Sequence, residues 1–100
     1  MNDESQIVPV NDNTAHNRYE AHVGDALAGF ASYELTPGRI TFLHTRTEPA
    51  FEGRGVASRL AQVALDDARA RGLLVTPICP FISEYIDRHP AYADLVDRPS

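Results

Sequence analysis

The chain has 100 residues, the size of one domain, and 43% of them are apolar, an ordinary share for a globular fold. A net charge of -5 argues against nonspecific nucleic-acid binding, which rests on Lys and Arg neutralising phosphates; the single cysteine, Cys79, excludes an intrachain disulfide framework and a cysteine-held structural zinc. No apolar run approaches the ~20 residues that span a bilayer, and the acidic start Met1-Asn2-Asp3-Glu4 lacks the basic and apolar regions of a signal peptide, so a cytoplasmic location and no membrane partner are expected.

The basic residues are all arginine, so no lysine can act as a Schiff-base nucleophile. The four histidines (His16, His22, His44, His89) lack the close helical spacing of a metal pair, and no metal is expected.

Residues 1–5 read as a frayed terminus, and the pattern turns strand-like from Ile7. Over residues 17–23, Tyr19, Ala21 and Val23 alternate with Arg18, Glu20 and His22, as in a strand with one buried and one solvated face. Gly24-Asp25 fits a two-residue hairpin turn. Residues 26–35 make a second strand, Thr36-Pro37-Gly38 a turn, and residues 39–47, rich in β-branched and aromatic side chains, a third strand. The first half is thus an antiparallel meander.

The period then changes. Over residues 56–71, Val56, Leu60, Val63 and Ala64 recur at helical steps. Asp67 and Arg71 stand four apart with the acid first, and Gly72 suits the position just past a helix end. Residues 73–76 predict a short buried strand, ended by Pro77 and Pro80 on either side of Cys79. Residues 81–88 predict a second helix closed by His89-Pro90, with a helical turn over 91–96. Strands, helix, strand, helix is an α+β order with one βαβ unit, in a single domain over 1–100.

Between the third strand and the long helix lies Pro49-Ala50-Phe51-Glu52-Gly53-Arg54-Gly55-Val56-Ala57. Gly53 and Gly55 allow a tight turn and leave no side chain between backbone and ligand. The helix starts at once, so its first N–H groups face the loop unpaired at the positive end of the dipole, a site suited to phosphate. Arg54 can add a charge-assisted contact. Alone, a glycine pair before a helix is more often a plain turn, and Arg54 an ordinary surface residue.

Strand, glycine loop, amphipathic helix and short strand together resemble the GNAT superfamily of N-acetyltransferases. Its signature is Gln or Arg, two residues, Gly, one residue, then Gly or Ala; Glu52-x-x-Gly55-x-Ala57 fits the spacing but places Glu first. The chain resembles the small single-domain GNAT-like subgroup of about this length. The resemblance runs from Asn17 to Val96 and is densest in Glu52-Gly53-Arg54-Gly55-Val56-Ala57-Ser58-Arg59-Leu60, Pro77-Ile78-Cys79-Pro80-Phe81 and Arg88-His89-Pro90-Ala91-Tyr92-Ala93-Asp94-Leu95. It implies a minimal GNAT-like fold: a mixed, mostly antiparallel sheet with one central helix packed on it and a second C-terminal helix. It also implies acetyl-CoA as substrate. The backbone of Glu52, Gly53, Arg54, Gly55, Val56 and Ala57 would cradle the pyrophosphate. The pantetheine arm would run between the diverging ends of strands 39–47 and 73–77, held by backbone at Thr45, Arg46 and Thr47. The helices that usually follow the first strand are missing, which leaves the acceptor side open and suits an unidentified amine, including one on a protein.

Transfer to an amine needs a base, an oxyanion stabiliser and an acid for the leaving thiolate. The third strand has no carboxylate before Glu48, and His44 is its only residue that titrates near neutrality; the alternative is an ordinary strand-surface histidine. Cys79, at the end of the last strand, could accept the acetyl group or protonate departing coenzyme A; the alternative is a small buried hydrophobe. Tyr85 lies close to where GNAT enzymes often carry a tyrosine acid, with packing as the alternative. Tyr92 and His89 read as structural. Two functions follow: an acyltransferase acting on an amine, or a non-catalytic CoA or acyl-CoA binding module, in either case a monomer or weak dimer. A partner-binding domain with a relic loop is a weaker third.

Overall fold

The computed structural model of the chain describes residues 8–96, so the expected frayed terminus at 1–5 lies outside the described residues. Five strands form one sheet in sequence order: β1 (Val10–Asn13), β2 (Arg18–Val23), β3 (Ala26–Thr36), β4 (Arg39–Thr47) and β5 (Leu74–Pro77). The pairs from β1 to β4 are antiparallel. β5 joins β4 in parallel after the crossover helix α1 (Val56–Ala70). Helix α2 (Pro80–Arg88) and a 3-10 segment, Pro90–Leu95, follow, and Val96 bridges back in parallel to Val75. The α+β expectation, mostly antiparallel with one βαβ unit, describes this architecture. No helix among the described residues is long and apolar enough to cross a membrane.

Alternation built the sheet's core face. Tyr19, Ala21, Ala31, Tyr33, Ile40 and Phe42 are buried there, and α1 lays Val56, Leu60, Ala61, Ala64, Leu65 and Ala68 onto the same core. The alanines let the helix approach the sheet closely, while a fully buried Leu or Ile contributes about 1.5–3 kcal/mol. Val63, read as part of the stripe, is only half-buried at the helix flank. Ile82 and Ile86 of α2 complete the core.

The structure departs from the sequence reading in a few places. β1 is a separate strand, paired over its whole length with β2. Asn17 is not in β2 but in the turn before it, at φ 54. Glu20, expected on a solvated face, is buried beneath Arg18, Asn13 and His22; the Arg18 guanidinium donates to its carboxylate at 2.7 Å and the Asn13 amide at 2.9 Å. Those partners, Arg18 first, hold its carboxyl below the usual value near 4.5.

At the C-terminal end of α1 a polar cluster ties helix to sheet. The Tyr19 hydroxyl donates to Asp67, the Tyr33 hydroxyl donates to Asp12 at 2.7 Å, and Arg71 pairs with Asp67 at 3.3 Å and Asp12 at 3.6 Å. Burial, then the hydrogen bond to Asp12, pushes the Tyr33 phenol up to about 12. This cluster fixes the far end of α1, and the near end is left to the glycine loop.

Candidate functional site

β4 ends at Thr47; the Glu48 N–H donates to the Ala28 carbonyl at 2.8 Å, and a 3-10 turn, Pro49–Phe51, leads into the loop. Gly53 and Gly55 have φ 82 and 76, and a Cβ added to either would meet nothing within 4 Å. Positive φ rather than crowding requires glycine here, and the space in front of the loop is open. Gly55 caps α1, and the first helical bond runs from the Arg59 N–H to the Gly55 carbonyl at 3.0 Å. The N–H groups of Val56, Ala57 and Ser58 therefore have no helical carbonyl to bond. No side chain caps them and no acid stands in the first turn, so the positive helix end is free for an anion.

A cavity of about 260 Å³ opens over these groups. It gathers Thr47, Glu52, Gly53, Gly55, Val56 and Ala57 from the expected coenzyme set and adds Ser58 and Phe81, which the sequence reading did not place there. The guanidinium of Arg54 stands over the Phe51 ring at 5.5 Å. Gly29 was also not singled out. A Cβ there would lie 2.6 Å from the Arg46 carbonyl oxygen and 3.0 Å from Val56 Cγ1, so β3 passes directly beneath the start of α1.

The second part of the site is a split in the sheet. β5 pairs with β4 only from Arg39 to Phe42. The N–H groups of Ile78 and Cys79 then both donate to the Phe42 carbonyl, at 3.1 and 2.9 Å, as the chain leaves the sheet. At the same level β4 is bent by a bulge: Tyr33 faces Phe42 and Ser32 faces His44, with Leu43 extra. Beyond it, Thr45, Arg46 and Thr47 continue without a β5 partner, so the backbone groups on that edge are open to an extended ligand.

Cys79 sits in the split, 3% exposed, at the N-cap position of α2, with Sγ 3.2 Å from Thr45 Oγ1. His44 is exposed, its ring 6.2 Å from that of Phe30. Arg18 and Arg46 lie in register with this pair on β2 and β4. Tyr85 is stacked on His89, ring centroids 4.0 Å apart. Burial, then the charge of Asp66, raises its phenol, which makes it a weaker proton donor. It lines a groove between α1 and α2 rather than the cavity over the loop. The Tyr92 hydroxyl donates to Asp66 at 2.7 Å, in keeping with a structural role.

That groove, about 1460 Å³, begins at Gly53 and Gly55 and runs along α1 to the Pro90–Leu95 segment. It shares Gly53, Gly55 and Ser58 with the smaller cavity, so the two adjoin at the glycine loop. No group of His, Cys, Asp and Glu among the described residues could hold a metal ion.

A family model for GCN5-related N-acetyl-transferases matches residues 18–95, nearly the whole described domain. The chain belongs to the GCN5-related N-acetyltransferase family. Its acetyltransferase fold is similar to that of a GCN5-like protein from Staphylococcus aureus solved by NMR in solution, with a TM-score of 0.66 over 94% of this chain and 92% of that one; at 16% identity the likeness is one of fold. Among curated proteins, Protein NATD1 is 37% identical over 59 residues in Homo sapiens and in Mus musculus. The match covers 58% of this chain, 52% of the human protein and 54% of the mouse protein, so the chain spans about half the length of these relatives.

Proposed function

We propose that the chain is an acetyl-CoA-dependent N-acetyltransferase, acting as a single domain on an amine, including an amine on a protein. The observation that carries the reading is the set of unpaired N–H groups at the start of α1, opening onto the free edge of β4. Two glycines with open space before them, a free helix N-terminus and an uncapped first turn fit a pyrophosphate. Thr45, Arg46 and Thr47 offer backbone groups along which an extended pantetheine arm can bond. The thioester end would then reach the Thr45–Cys79 pair.

In the reaction, the amine nitrogen attacks the thioester carbonyl carbon, the C–S bond breaks, the nitrogen loses a proton and the thiolate gains one. His44, on the exposed side of β4, can take the amine's proton; the Cys79 thiol can supply the thiolate's. Alternatively the Cys79 sulfur takes the acetyl group from the coenzyme and passes it to the amine, with the coenzyme thiol released first. The Thr45 hydroxyl can bond the cysteine in either route. The expected setting is cytoplasmic, as a monomer or weak dimer.

A second reading, a CoA or acyl-CoA binding module without turnover, is favoured by one observation. β4 carries no carboxylate, and Glu48 beyond it is paired with Arg46 at 3.4 Å. The deciding experiment incubates the protein with acetyl-CoA and a panel of amines, following free CoA and intact protein mass. Amine-dependent CoA release that falls in His44→Ala supports the enzyme. An acetyl group retained on Cys79 supports the covalent route. Binding without release or acetylation across the panel would favour the binding module.

A further inference from the structure

The split between β4 and β5 opens beside two exposed apolar side chains. Leu43, the extra residue of the β4 bulge, is 42% exposed, and Ile78 is 62% exposed. The Ile78 N–H donates to the carbonyl of Phe42, the residue before Leu43, so the pair marks the point where the two strands part. Exposed apolar groups at the mouth of a site are a contact surface for a ligand.

The sheet face next to this point carries an aromatic and cationic cluster. Both helices and the Pro90–Leu95 segment bury their apolar side chains in one core, on the face that holds Tyr19, Ala31 and Phe42. Alternation and register put Arg18, Phe30, His44 and Arg46 on the other face. Phe30 pairs with Arg46 across β3 and β4, the Arg18 guanidinium lies 4.7 Å from the Phe30 ring centroid, and the His44 ring lies 6.2 Å away. Among the described residues, each arginine gives a carboxylate only its Nε, Arg18 to Glu20 at 2.7 Å and Arg46 to Glu48 at 3.4 Å. The terminal nitrogens of both can therefore bond a second anion. Glu20 is buried and Glu48 is paired, so neither offers an open carboxylate to a cation.

We propose that the acceptor is an acidic peptide segment, with an apolar residue beside the reactive amine and carboxylates about three residues away. This rests on the acetyltransferase reading and names its acceptor class. The apolar residue lies on Leu43 and Ile78 at the split, the chain passes over Phe30, and the carboxylates bond Arg46 and Arg18. From β4 to β2 is two strand spacings, about 10 Å, which about three residues of extended peptide span and a small amine does not. The net charge of -5 gives no long-range pull on an acidic segment, so the selection is local, made by the paired contacts themselves.

The test offers the intact chain acetyl-CoA with short unblocked peptides and with small alkylamines. Each peptide has one Lys beside a Leu and, farther along, a pair of Asp, Asn or Arg residues. Free CoA gives kcat/KM, and mass spectrometry locates the acetyl group. The Asp peptide is expected to be preferred over the Asn peptide by about fivefold to thirtyfold, the scale of two exposed ion pairs, and over the Arg peptide by more. The preference should shrink as salt rises. Arg46→Gln should cut it to about a third, and Ile78→Ser should raise KM for all three peptides. Both side chains are exposed, and thermal melting checks that the variants fold. Equal rates on the peptides, a preference for the Arg peptide, or acetylation of alkylamines alone would overturn the inference and leave the acetyltransferase reading standing. So would an unchanged Asp preference in folded Arg46→Gln or an unchanged KM in folded Ile78→Ser. No acetylation of any amine by the folded chain would overturn the acetyltransferase reading itself, and the inference with it.

Discussion

Gly29→Ala tests whether the glycine loop is positioned by the sheet beneath it. The new methyl would stand 2.6 Å from the Arg46 carbonyl oxygen, 3.0 Å from Val56 Cγ1 and 3.3 Å from Thr47 Cα. Two of these are backbone atoms, so no side-chain rotation relieves the clash; β3 and β4 must part or α1 must lift. Overpacking of this kind costs about 1–3 kcal/mol, while the stiffer unfolded chain returns roughly 0.4–1 kcal/mol. The net loss of about 1–2 kcal/mol should lower the melting temperature of a domain this size by roughly 4–15 °C. Because the displaced atoms belong to Thr47 and Val56, at the two ends of the glycine loop, the proposed affinity for coenzyme A should fall as well. Gly24→Ala is the control: it sits in a hairpin turn at φ 61 with open space around it, and pays only left-handed strain of about 1–2 kcal/mol. Urea denaturation and coenzyme titration of both variants separate the effects. Normal stability and normal binding in Gly29→Ala would refute the argument.

Glu52 lines the cavity proposed for pyrophosphate; two like charges ~6 Å apart in a water-like medium repel by ~0.7 kcal/mol. Glu52→Gln should therefore tighten coenzyme binding by roughly threefold to tenfold at low salt, read by calorimetry. Glu20 is held below its usual pKa by Arg18 and then Asn13, so its contribution to stability is complete above about pH 4.5 and is lost as pH falls through the depressed value. Melting temperature against pH should be steeper on the acid side for the unsubstituted chain than for Glu20→Gln; identical acid limbs would contradict this.

Much of the fold could be read from residue order because local and tertiary preferences agree. β4 spans residues 39–47 as its β-branched and aromatic run predicts, and α1 starts at Val56, where the glycines end. β1 was harder, since Val10–Asn13 is mostly Asn and Asp, types depleted in strands. Its pairing is decided by β2 and by Asp12 accepting the Tyr33 hydroxyl across the sheet. The glycine turn before α1 was legible because positive φ and a helix start leave a local mark. Gly29 was not, because close approach of β3 to the loop depends on residues far along the chain. Nor was the α1–α2 groove, whose walls come from separate helices.

A calorimetric titration with acetyl-CoA, repeated on Gly55→Val, asks whether the glycine loop holds the coenzyme. Valine at φ 76 costs about 1–2 kcal/mol of strain and puts its branches into the open space before the helix N-terminus. Saturable, one-to-one binding by the unsubstituted chain is expected, with loss of that binding in a variant that still melts cooperatively. A folded chain that does not bind acetyl-CoA, or a Gly55→Val variant that binds it equally well, would contradict the account.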